Sequence, residues 1–138
     1  MRKYVFIAFG GAIGAMARFS FPHLQAPENF PIRTLLINVI GCFLIGVILT
    51  FATEVRFFDT DVRMGITTGV LGAFTTFSTV AAECVQFIAK GQFALVFFYV
   101  MLSAMIGFIA VYAGYFFMRE VELFLKKKEV HELKDEVE

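Results

Sequence analysis

The sequence predicts an all-α integral membrane protein with four transmembrane helices per subunit, the third broken near its centre. Three observations carry this expectation. The chain of 138 residues is strongly apolar, with a mean hydropathy of +0.76, 19 Phe and no Trp. Four stretches, at about 4–21, 34–53, 64–89 and 93–118, approach or exceed the roughly 20 apolar residues that a bilayer crossing needs. The second and fourth are uncharged and the third is uncharged until Glu83, so these helices lack the polar face that a soluble domain of this size shows. Inside the third lies Gly72-Ala73-Phe74-Thr75-Thr76-Phe77-Ser78-Thr79. Gly, Ser and Thr are poor helix formers, and the hydroxyls compete for backbone groups. Irregular backbone survives at membrane depth only where it is buried in protein or lines a polar cavity, and in transporters such breaks mark the ion or substrate site.

The first span follows Arg2-Lys3, carries Gly10, Gly11 and Gly14, and meets Arg18 near its end. A cleaved signal peptide ending at Ala15-Met16-Ala17 is the competing reading. The glycines stand where close helix packing needs them and favour a retained span. A connection with Pro22, Pro27 and Pro31 leads to the second span, which holds Asn38, Gly41, Cys42 and Gly46. Residues 54–63 connect to the third span, and Lys90-Gly91-Gln92 forms a tight turn into the fourth. Residues 1–118 make the membrane channel domain. Residues 119–138 form a charged C-terminal tail, with Val130, Leu133 and Val137 at helical spacing, read as a solvated extension.

Composition also excludes functions. The formal net charge is zero, which gives no basis for nucleic-acid binding. Cys42 and Cys84 both fall inside spans and read as small buried hydrophobes rather than a disulfide or metal site. His23 and His131 lie in a loop and in the tail. The sequence has no catalytic triad, paired catalytic carboxylates, phosphate loop or metal-ligand spacing, so no enzyme is expected. Arg2, Lys3, Arg56, Arg63 and Arg119 flank one side of the bilayer, against Arg18, Arg33 and Lys90 on the other. That weak bias permits insertion in both orientations. Four helices, each about 10 Å across, scarcely enclose a water-filled path, so assembly as at least a dimer is expected.

Several residues are candidates for the path. Asn38 needs a partner in an apolar span, either another helix or an ion. Opening of the third helix near 72–75 deprives carbonyls of their helical donors. Carbonyls from two copies suit a hard cation such as Na⁺, whereas N–H and hydroxyl donors suit an anion. The positive edge of the Phe77 ring can face an anion. Tyr99 and Ser103, four residues apart, share one face of the fourth helix; they offer a donor track or bond neighbouring helices. Arg18 can snorkel to the interface and concentrate anions in a vestibule. Glu83 is read as an interfacial or salt-bridged carboxylate, with a proton-coupled role as the alternative.

Three motifs then resemble one family. The segment from Gly10 to Phe19 is similar to a first-helix GGxxGAxxR pattern, and Thr34 to Phe43 to a TLxxNxxGxF pattern. Thr67-Thr68-Gly69, Gly72 and Thr75-Thr76-Phe77-Ser78-Thr79 resemble a TTG…G..TTFST signature. Together these resemble the Fluc (CrcB) fluoride channels. The resemblance implies an antiparallel, dual-topology homodimer in the bacterial plasma or inner membrane. It implies two pores that export F⁻ passively from the cytoplasm and so confer fluoride resistance. It further implies a structural Na⁺ at the dimer interface on the Gly72 and Thr75 carbonyls of both subunits. Asn38, Phe77, Ser78, Thr79, Val80, Tyr99 and Ser103 would line the fluoride path, with Arg18 near its entrance. Where many members carry a second Phe, this chain has Val80, which has no ring edge to present. The runner-up, a small proton-coupled multidrug exporter, depends on a carboxylate in the first span, and this chain has none there.

Overall fold

Apolar runs without interior charge become long helices here, and the elements change character where Gly, Thr or Pro interrupts them. The structure is a computed structural model and describes residues 1–22, 30–54 and 59–135. Helix α1 spans Arg2–Ser20, α2 Ile32–Glu54 and α6 Phe93–Asp135. Between α2 and α6 the third stretch is segmented. It comprises α3 (Thr60–Met64), a π-helical segment (Gly65–Leu71), α4 (Gly72–Phe74) and α5 (Phe77–Ala89). The described residues form no strand.

Among the described residues, three helical stretches are long and apolar enough to cross a membrane: Ile32–Ala52, Thr60–Ala89 and Phe93–Lys128. Helix α1 is not among them, because Arg2, Lys3 and Arg18 dilute its 19 residues. Sequence boundaries shift by a few residues. Arg33 lies inside α2, and Arg63 inside α3, whose start is fixed by the Asp59 side chain accepting from the Asp61 N–H at 2.9 Å. Such a cap satisfies a donor orphaned by the first turn. The tail continues α6 as one helix to Asp135. His23 and Pro27 lie outside the described residues, as does the His131 side chain.

Two seams of small residues hold the helices together. In the first, α1 lies on the π-helical segment. A Cβ on Gly10 would collide with the Gly65 carbonyl, and one on Gly14 with the Val70 carbonyl. In the second, α2 lies on α6, with Gly46 against the Val111 carbonyl and Gly114 against that of Phe43. Backbones approach this closely only where side chains are absent. A compact apolar cluster of Val80, Phe87 and Tyr99 joins α5 to α6. The Tyr99 ring meets Phe30 and Phe87 edge-on, with centroids 5.5 and 6.3 Å away.

Ends are tied as well. The Arg33 guanidinium donates to the carbonyls of Arg18 (3.0 Å), Phe19 and Phe21, satisfying acceptors that the C-terminus of α1 leaves open. At the opposite end of α1, Arg2 pairs with Asp59 and lies 3.5 Å from Asp61. Helix α5 ends where Gly91, at φ 72°, lets its N–H reach Ile88 O while Gln92 N–H reaches Phe87 O. That paired closure is the reason a glycine occupies this turn.

Candidate functional site

The break falls at Thr75 and Thr76, whose backbones are extended (ψ 159° and φ −150°) between two helical ends. Two side chains stabilise it. Thr76 caps α5, its Oγ1 accepting from Thr79 N–H at 3.1 Å. Asn38 reaches across from α2 and closes a two-bond bridge to Thr76. Its Oδ1 accepts from the Thr76 N–H at 2.8 Å and its Nδ2 donates to the Thr76 carbonyl at 3.0 Å. One turn along α2, Gly41 is bare because the Thr75 methyl occupies the space a Cβ would need. The Asn-x-x-Gly spacing therefore has two local functions, to bond the break and to make room for it.

The same geometry frees carbonyls at the break, those of Gly72 and Thr75 among them. In a continuous helix the Gly72 carbonyl would accept from Thr76 N–H, and the Thr75 carbonyl from Thr79 N–H. Here Thr76 N–H goes to Asn38 and Thr79 N–H to Thr76 Oγ1. Thr75 O instead receives the Arg18 guanidinium, with Nη1 at 3.4 Å. Two neutral oxygens released from helical pairing suit a hard cation. No group of three His, Cys, Asp or Glu that could hold a metal occurs among the described residues. The oxygens freed at this point are backbone carbonyls.

A cavity of about 760 Å³ opens beside the break, lined by Asn38, Thr75, Thr76, Phe77, Val80 and Ser103 among others, and mostly apolar. Phe77 is 85% exposed and Val80 only 8%. Ser78 and Thr79 are exposed on the first turn of α5, and their hydroxyls lie 3.2 and 2.9 Å from Thr76 Oγ1. Ser103 Oγ is buried without a hydrogen-bond partner.

Tyr99 is placed differently. It is fully buried and does not line the cavity. Its hydroxyl donates to Glu83 Oε2 at 2.7 Å, while Thr34 donates to Oε1 at 2.6 Å. The two hydroxyls expected to share one track thus part company, Ser103 at the cavity and Tyr99 on Glu83. Glu83 is held by neutral hydroxyls from α2 and α6. Sequence reasoning passed over Thr34 as a site residue. The available signal was its position one turn before Asn38, on the same face of α2.

The CrcB family model, described as CrcB-like protein, Camphor Resistance (CrcB), matches residues 5–115. The chain belongs to the CrcB family. Among similar proteins, Fluoride-specific ion channel FluC 1 of Bacillus anthracis is 38% identical over 120 residues, covering 83% of this chain and 88% of that protein. The Moorella thermoacetica FluC 1 is 38% identical over 119 residues, covering 84% and 85%. Staphylococcus saprophyticus FluC 2 is 37% identical over 114 residues, covering 81% and 93%. The CrcB match takes in α1, α2, the whole broken helix and most of α6, so both sides of the cavity lie within it. With its membrane-length helices, this CrcB member is a multi-pass membrane protein.

Proposed function

We propose that the chain is a fluoride-specific channel that lets F⁻ leave the cytoplasm passively and so relieves fluoride toxicity. The observation that carries the reading is the Asn38-bridged break at Thr75 and Thr76, which opens on the cavity and frees backbone carbonyls. The matched relatives named as fluoride-specific channels support it. The function is transport, with no catalytic step. All four spans, with the segments from α3 to α5 counted as one, cross the bilayer, and α1 is stabilised there by its glycine seam rather than by hydropathy. Two copies pair antiparallel. Each contributes Asn38, Phe77, Ser78, Thr79 and Ser103 to the fluoride paths, with Arg18 at the approach, while Tyr99 stands behind the cavity with its hydroxyl on Glu83. The exporter reading is not favoured, because α1 carries no acidic residue.

Chemistry follows from the donors. Fluoride is small and strongly hydrated, so it leaves water only where hydrogen-bond donors replace that shell. Asn38 uses one amide hydrogen on Thr76 and has a second. The Phe77 ring offers an edge, and Ser103 brings a hydroxyl whose bonding capacity is unused. A Na⁺ between subunits would rest on the Gly72 and Thr75 carbonyls, and when bound it supplies positive charge that holds two broken helices together.

The test uses purified protein in liposomes loaded with potassium fluoride. After valinomycin is added, F⁻ release is followed with a selective electrode, with chloride-loaded vesicles as control. Rapid fluoride release without chloride release is expected. No release of either ion from folded dimers would end the channel reading.

A further inference from the structure

The Thr75 carbonyl already has a cationic partner. Arg18 Nη1 lies 3.4 Å from Thr75 O, and Arg18 is half-buried. Among the described residues no carboxylate lies within ion-pair distance of Arg18, since the ion pairs there belong to Arg2. A second guanidinium, that of Arg33, sits 3.0 Å from the Arg18 carbonyl. Two positive side chains therefore stand at the α1 end nearest the break, and neither has an ion-pair partner among the described residues.

We propose that Arg18 is a specificity-determining residue for the cation at the break, sharing the Thr75 carbonyl with it and holding its affinity down. The proposal rests on the fluoride-channel reading, in which Gly72 and Thr75 carbonyls hold Na⁺. A carbonyl oxygen has two lone pairs, so one can take the guanidinium and the other an ion. Both partners are positive and would share one oxygen. Their repulsion is strong at that range and in a partly buried setting. It opposes any cation and opposes a doubly charged one more. With backbone oxygens and no carboxylate, this arrangement favours a monovalent over a divalent ion.

Removing the charge must then tighten Na⁺ binding, whereas binding would weaken if Arg18 merely built the site. Thermal unfolding of the purified dimer reads this without transport. Unfolding releases the ion, so Tm climbs with Na⁺ concentration once that exceeds the dissociation constant. NaCl is exchanged for KCl at constant ionic strength, which keeps screening fixed. In Arg18→Gln the climb should begin at a Na⁺ concentration about threefold or more lower than in wild type. Arg18→Met removes the same charge while keeping much of the stem, and should shift the same way. Arg18→Lys keeps the charge and should follow wild type. A climb at equal or higher Na⁺ in both neutral variants overturns the role of Arg18 while leaving the cation site standing. A wild-type Tm indifferent to Na⁺ over K⁺ overturns the cation site and this inference together.

Discussion

Asn38 shows how one side chain can build a site and serve it. Its amide satisfies both backbone groups of Thr76, which is 7% exposed and has no water to turn to. Asn38→Ala leaves an N–H and a carbonyl unpaired, a cost of about 2–4 kcal/mol. The expected result is a lower unfolding midpoint together with lost fluoride release. A wild-type midpoint with lost release would instead confine Asn38 to the ion path. Val80 tests the opposite kind of change. It packs against Phe87 and Tyr99 while lining the cavity, so Val80→Phe overfills the core at about 1–3 kcal/mol while restoring a ring edge. Unchanged fluoride rate and selectivity in that variant would count against Val80 lining the path. Asn38 and the hydroxyl run stood out in the sequence because polar groups in an apolar span demand an explanation, whereas Phe77 stood out only for the ring edge it could offer and for the motif around it. The Thr34–Glu83–Tyr99 cluster was not, since nothing in one chain's spacing reveals which hydroxyl a carboxylate on another helix will capture.

Among the elements, the glycine seams explain why α1 belongs to the bundle despite its modest hydropathy. Gly14 meets the Val70 carbonyl, whereas Gly11 has nothing within 4 Å of a Cβ position. Gly14→Ala should therefore force α1 off the π-helical segment, costing about 1–3 kcal/mol. Gly11→Ala should be neutral or stabilise by up to about 1 kcal/mol through helix propensity. Thermal unfolding of the two variants side by side checks this. Equal midpoints would mean that α1 does not pack at the seam. The four apolar stretches and the break were readable from hydropathy and from the Thr/Ser run. The π-helical Gly65–Leu71 segment was not, because it is set by contact with α1. Gly65 and Gly69 place their backbones against Phe6 and Ile7, and no local pattern distinguishes that from ordinary α-helix. The shift of the third helix's start to Thr60 has a local cause, the Asp59 cap, which hydropathy does not register.

For the whole molecule, the exposed surface poses the question of partners. Helix α6 is 43 residues long, about 65 Å at 1.5 Å per residue, and its apolar part alone exceeds a bilayer of about 30 Å. Phe97, Phe98, Phe108 and Tyr112 are all more than 60% exposed, a surface for lipid. Phe77 is different. It is 85% exposed at a helix break among hydroxyls, where lipid would be a poor neighbour for Ser78 and Thr79. In the proposed dimer a second copy would cover that surface and contribute its own freed carbonyls. If the copies oppose each other, the Lys90-Gly91-Gln92 turn faces both sides of the membrane in equal numbers. A Cys42→Ser, Cys84→Ser, Lys90→Cys variant should then label to about half its extent with an impermeant maleimide applied from one side of sealed vesicles, reaching completion only after permeabilisation. That half follows from the one-to-one pairing of orientations in a closed two-fold assembly. Complete labelling, or none, before permeabilisation would place all copies in one orientation. The freed carbonyls of two subunits could not then meet about an axis in the membrane plane, and the dimeric cation site would fall with the topology.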